Sequence, residues 1–222
     1  YLLNGKTDYE LSIPTGKPIR LYILNASNVR PFAFAIENTR LKVVGSDAGL
    51  FEKPFLVDSV TLGPSERVIL EFFVEKPGNY GLLNKAPIGS KAIGSIKANG
   101  ASVTFSDKES FNELSGNVAF EKELEKFRPF FDKAPDFEYE LLIRWPVMDK
   151  MMGGQGHGGM MQIHGSGDGI EWEDSMRPIN EITTNEEITW IIRDAKIGKE
   201  NMNFYHTVKK GDVKKIRITN IE

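Results

Sequence analysis

The sequence contains no cysteine. That excludes disulfides, cysteine-based zinc sites, a cysteine nucleophile and any thiolate-ligated metal centre. Histidine is scarce too, with three in 222 residues, so few imidazoles are at hand for acid–base work or metal ligation. No apolar run approaches the ~20 residues that a membrane-spanning helix needs. Neither sign of charge dominates. The net charge is −3 and the basic residues are scattered, which argues against a nucleic-acid partner. No G-x-S-x-G, H-E-x-x-H or P-loop string occurs. No secretory leader is visible, and a start at Tyr1 rather than Met reads as an internal or processed segment.

What is present is enough apolar material, 40% of residues, to bury a core. In the first hundred residues it alternates. Ile19, Leu21 and Ile23 share one face of a strand, with Leu24 making the other face partly apolar, and Phe32, Phe34 and Ile36 recur at period two. RLKVVGSDAG reads as a strand ending in a turn, RVILEFFVEKPGNYGLLNK as strand, turn and strand, and KAIGSIKANG as another strand. Short strands punctuated by Gly, Pro and Asn at roughly 8–12-residue spacing indicate an all-β sandwich. A short helix is expected at 119–128, ending before Pro129. Strands return at 136–145, 186–195 and 213–220. The domain organisation read from this is a sandwich over 1–145, a linker or loop over 146–186, and the opening strands of an incomplete second sandwich over 187–222.

An internal echo supports a duplication. Ile13, Gly16 and Asn25 have the same spacing as Val208, Gly211 and Asn220, with Arg20-Leu21 and Lys215-Ile216 at matching offsets. Each glycine would permit a tight turn before its strand.

The stretch MDKMMGGQGHGGMMQIH, residues 148–164, holds five of the seven methionines and two of the three histidines. Thioether sulfur is soft and suits Cu(I) better than Zn(II) or Mg(II). Met151, Met152, His157, Met160, Met161 and His164 are therefore candidate labile Cu(I) contacts, with Met148 beside Trp145-Pro146 better suited to packing. The competing reading is that the methionines are adaptable apolar filler. The glycines oppose it, because core strands avoid such runs. His206, in MNFYHTV, reads as a strand or turn residue. Asn25-Ala26-Ser27 matches a glycosylation sequon at what reads as a buried strand end. For Glu66-Arg67 the expected role is a turn-end ion pair.

Several of these strings, in order, resemble the second domain of three-domain multicopper oxidases. They are Asn4-Gly5, the segment from Arg20 to Arg30, Val44 to Leu50, and Leu62 to Arg67. The later ITWIIRDAKIGKENMNFYHTVKKGDVKKIRITN is similar to strands opening the family's third domain, and the Met-rich stretch sits where copper-tolerance, laccase-like oxidases carry an insert. The resemblance implies a cupredoxin-like Greek-key β-sandwich. It also implies copper as the cofactor of a parent enzyme that couples oxidation of a substrate, or of Cu(I), to reduction of oxygen to water. The partners would be the missing first and third cupredoxin domains, or another copy of the segment, together with copper ions. The home would be extracytoplasmic, periplasmic or secreted. There are departures. Ser65 replaces the usual glycine of P-G-E-R, and Ile69 and Leu70 stand where an Asp is common. The family's H-x-H, H-x-x-H-x-H and H-C-H ligand strings are absent, so this segment is expected to be scaffold with no catalytic residue. Two alternatives stay open: a non-catalytic copper-binding module, and a metal-free structural or interaction domain.

Overall fold

The computed structural model describes residues 1–87, 89–101, 108–146, 170, 172, 184 and 188–221. They form two compact units, one built on residues 1–123 with 166–174, the other on 124–165 with 175–222.

The first unit is a sandwich of two sheets. One has the order β1(Glu10–Pro14), β9(Gly89–Asn99), β8(Gly78–Ala86), β3(Phe32–Ile36), β6(Val60–Leu62). The other runs β2(Ile19–Leu24), β7(Arg67–Phe72), β4(Leu41–Ser46), β5(Gly49–Val57). Only β4–β5 and β8–β9 are hairpins within a sheet. The remaining connections cross between sheets, which gives the expected cupredoxin-like Greek-key arrangement, with β1 parallel to β9. Alternation builds the core. Along β7, Val68, Leu70 and Phe72 are buried while Arg67 is exposed. They meet Phe34, Ile36, Leu41, Val43, Leu82 and Ile96 in one cluster. Each such side chain contributes roughly 1.5–3 kcal/mol by leaving water. β1, β5 and β6 escaped the sequence reading. Pro54 in β5 obscures a strand, and it is tolerated because β5 is an edge with no outer neighbour. Gly45 is required where β4 bulges: a Cβ there would lie 2.5 Å from the Gly49 carbonyl oxygen.

The turn before β7 places Ser65 at φ 66°, with the Glu66 N–H donating to the Gly63 carbonyl. Pro64 followed by a left-handed residue is a type II turn, which favours glycine at that position. Ser65→Gly is therefore expected to stabilise the sandwich by about 1 kcal/mol, a rise in melting temperature of roughly 2–4 °C. A lower melting temperature would show that the serine earns its place by some other contact.

A short α1(Lys108–Asn112) was not anticipated; the helix expected at 119–128 is present as α2(Val118–Leu124), which continues as a 3-10 turn over Glu125–Phe127. Pro129 ends that turn and opens α3(Pro129–Asp132), since proline suits the first helical position.

In the second unit, β10(Phe137–Arg144) lies between β11(Thr189–Asp194), antiparallel, and β12(Ile216–Asn220), parallel. One face carries Phe137, Tyr139, Leu141 and Ile143 with Ile216, Ile218, Trp190 and Ile192 in register. The other carries cross-strand ion pairs, Glu140–Arg193 at 2.7 Å and Glu138–Arg217 at 3.3 Å. The Nζ of Lys215 donates to the carbonyls of Phe130, Phe131 and Lys133, closing the end of α3. Gly16 and Gly211, the two glycines of the echo, both have positive φ, 76° and 95°, and each precedes a strand. Among the described residues no helix is long and apolar enough to cross a membrane.

Candidate functional site

The six candidate metal contacts, Met151, Met152, His157, Met160, Met161 and His164, lie outside the described residues, as does Met148. What the fold does establish is where their segment begins and ends. Arg144 is the last residue of β10, and its cross-strand partner is Thr189, the first of β11. The Met/Gly/His stretch therefore connects two neighbouring strands of one sheet, leaving and returning at the same end.

Of the three histidines His206 is described, and it has company that sequence did not reveal. Its Nε2 lies 2.7 Å from Oδ2 of Asp194, whose side chain is 3% exposed. An ionised carboxylate only accepts, so Nε2 carries the hydrogen. The imidazole sits among Phe137, Tyr139 and Phe204, with ring centroids 4.2, 5.8 and 5.8 Å away. Oδ1 of Asp194 accepts the backbone N–H groups of Lys196 and Ile197 at 2.8 and 3.0 Å. Those bonds hold the carboxyl below the usual carboxylate range, the Ile197 N–H contributing most, against the opposing effect of burial. Asn201 completes this corner: its side chain accepts from Ile192 N–H at 2.8 Å and donates to the Trp190 carbonyl at 3.2 Å, serving the free edge of β11. The only sequence signal was an Asp followed by a turn, D-A-K-I-G, twelve residues ahead of a histidine.

The family-like strings of the first unit are structural locks. Asn25 is 5% exposed. Its Nδ2 donates to the carbonyls of Arg30 and Leu62 at 2.8 and 3.0 Å, and its Oδ1 accepts from the backbone N–H and hydroxyl of Ser27. A sequon whose amide is consumed in this way cannot take a glycan in the folded chain. Arg30 takes part through its carbonyl. The Arg20 guanidinium pairs with Glu71, Nε to Oε1 at 3.0 Å. Arg67 pairs with Asp47, Nε to Oδ1 at 2.6 Å, and not with Glu66 as expected. Glu66 instead accepts the Gly63 N–H at 2.7 Å. The reason is geometric: residue 66 belongs to the turn, and residue 67 opens a strand beside the β4–β5 turn that carries Asp47.

As a copper-binding donor set the described residues do not suffice. Among them no group of three or more His, Cys, Asp or Glu is placed to hold a metal ion, and His206 already shares a hydrogen bond with Asp194.

The sequence model of the family described as multicopper oxidase matches residues 1–110. Multicopper oxidase LPR1 of Arabidopsis thaliana is 37% identical over 89 residues, covering 39% of this chain and 15% of the relative. Laccase-1 of Thanatephorus cucumeris is 32% identical over 65 residues, or 29% and 11%. Among solved structures, a bacterial laccase-like multi-copper oxidase CueO from Ochrobactrum sp. has 28% identity and a TM-score of 0.41, over 46% of this chain and 23% of that one. The multicopper oxidase from Campylobacter jejuni, described as a metallo-oxidase, has 24% identity and a TM-score of 0.47, over 72% and 32%. The matched stretch thus spans under a fifth of the first two relatives and under a third of both structures' chains.

Proposed function

Through residues 1–110 the chain belongs to the multicopper oxidase family, and from that premise we propose that it is the second-domain scaffold, with the first strands of the third domain, of a copper-dependent oxidase. That family implies copper as the cofactor of the parent enzyme. There it supplies one-electron oxidation of a substrate, or of Cu(I) itself, coupled to reduction of oxygen to water. The observation that carries the reading is the family match, joined to a donor count. Without cysteine there is no thiolate for a blue-copper site, and three histidines are too few for the family's oxygen-reducing cluster. The first and third cupredoxin domains of the parent supply those ligands, and an extracytoplasmic location follows the family habit.

What this chain's own residues do is shape and gather. The Asn25 lock, the Arg67–Asp47 pair and the buried faces of β3, β4 and β7 hold a rigid sandwich. The thioethers and imidazoles of 148–164 offer donors for Cu(I), a gathering role and not oxygen reduction. Oxygen uptake with a phenolic substrate, measured on the copper-loaded chain, tests the division of labour. No turnover and no intense blue absorption are expected. Turnover by this chain alone would falsify the donor count.

A further inference from the structure

Large apolar side chains also stand on the outer face of the β2–β7 ladder, away from the core. Along β2 the inward residues Ile19, Leu21 and Ile23 pack on the core, which leaves Arg20, Tyr22 and Leu24 outward. Across the ladder Tyr22 lies opposite Ile69, and Leu24 lies opposite Arg67. Tyr22 is 74% exposed and Leu24 54%, while Ile69 is half-buried. Single exposed apolar residues are ordinary on a surface. These three share one groove of about 220 Å³ with Arg67, with Ser46 at the end of β4, and with Asp47 in the turn beyond it.

The polar end of this groove is prepared. Asp47 Oδ1 accepts from Nε of Arg67 at 2.6 Å, and Oδ2 accepts from its backbone N–H at 3.2 Å. Both carboxylate oxygens are thereby committed, while only one of the five guanidinium N–H groups is used. Among the described residues neither Nη group of Arg67 has a hydrogen-bond partner. A guanidinium held by Nε keeps its planar Nη fork free, and that fork matches a carboxylate with two parallel hydrogen bonds. A second ion pair, Arg20 with Glu71, lies further along the same face. The four charges balance, so an anion gains little from the field and must be held by contact.

We propose that this groove binds a small monocarboxylate with an apolar body. The carboxylate sits on the Nη fork of Arg67, and the body lies along Tyr22, Leu24 and Ile69. Asp47 is the positioning residue that orients the fork. The volume is below the roughly 300–1,000 Å³ of pockets for drug-sized ligands, so the body is short. Every residue of the site belongs to the first unit, and the proposal is independent of the copper reading.

The test is a titration of the isotope-labelled chain with hexanoate, hexanamide and acetate at constant ionic strength, read from backbone amide shifts. Hexanoate is expected to move Tyr22, Ile23, Leu24, Ser46, Asp47 and residues 67–69 saturably. Hexanamide lacks the charge and acetate lacks the body, so each should bind roughly tenfold more weakly. Arg67→Gln and Leu24→Ala should each weaken hexanoate binding by about the same factor. Leu24 is exposed, so its replacement leaves the fold intact even if Arg67→Gln does not. Arg40→Gln, at an exposed arginine outside the groove, should leave the affinity unchanged. Equal binding of hexanamide and hexanoate would overturn the proposal, as would full affinity in Leu24→Ala. So would a loss in Arg40→Gln as large as that in Arg67→Gln, because the anion would then be held by any surface cation.

Discussion

Asp194→Ala is expected to lower the melting temperature of the second unit by on the order of 5–10 °C. The side chain is 3% exposed and organises an entire corner. It takes the N–H groups of Lys196 and Ile197 and the imidazole of His206, while its own main chain bonds Lys199 and Gly198. Alanine removes the one buried acceptor that two turn N–H groups and a ring nitrogen share, and hydrogen bonds to a charged group contribute about 1.5–3 kcal/mol. The same carboxyl gives the stability an acid dependence whose sign follows from its lowered pKa. In the unfolded chain an Asp titrates near 3.9, and in the folded chain it titrates below that. Its contribution is therefore complete above about pH 4. It is lost as the pH falls through the folded value, where the unfolded state binds more protons. Asp194→Asn should destabilise at neutral pH and remove this part of the acid sensitivity. Thermal melts at a series of pH values check both. A melting temperature unchanged by either substitution would sink the claim that Asp194 holds this corner together.

Replacing Met148, Met151, Met152, Met160 and Met161 together by leucine is expected to weaken Cu(I) binding roughly 100-fold or more, with Zn(II) binding little changed, because thioether sulfur favours soft Cu(I). Leucine nearly conserves volume, so any packing role for these methionines would survive and melting should hardly move. A Cu(I) titration against a competing chelator reads the affinity. If the affinity is the same after the five replacements, the gathering role is wrong and the methionines are filler. Replacing His157 and His164 afterwards separates the imidazole share from the thioether share.

Much of the first unit was legible because period-two alternation is a local signal. Ile19, Leu21 and Ile23, or Phe32, Phe34 and Ile36, announce a strand with one buried face wherever its partner lies. β1, β5 and β6 were not legible. β6 has three residues, too few for a period, and β5 contains Pro54, acceptable only on an edge that nothing local marks. The echo between residues 13–25 and 208–220 marked two left-handed glycines correctly, since positive φ is a property of the turn itself. Glu66 and Arg67 show the limit: adjacency in sequence proposed a pair, while the strand geometry gave Arg67 to Asp47, twenty residues away.

By itself, the sequence determined which donor side chains the chain has and the kind of sheet that could form. Donor counts need no coordinates, and neither does alternation. The tertiary structure alone decided what is neighbour to what. It set β10 beside β11 and β12, so the strands that flank the Met/Gly/His stretch in sequence are paired with each other. It closed His206 and Asp194 into one corner across twelve residues, and it seated Trp172 on two alanines more than eighty residues upstream. The physical reason is that each of these contacts depends on chain reversal and long-range packing. Their stabilisation comes from burying surface that only the assembled sheets create, and no local periodicity encodes it.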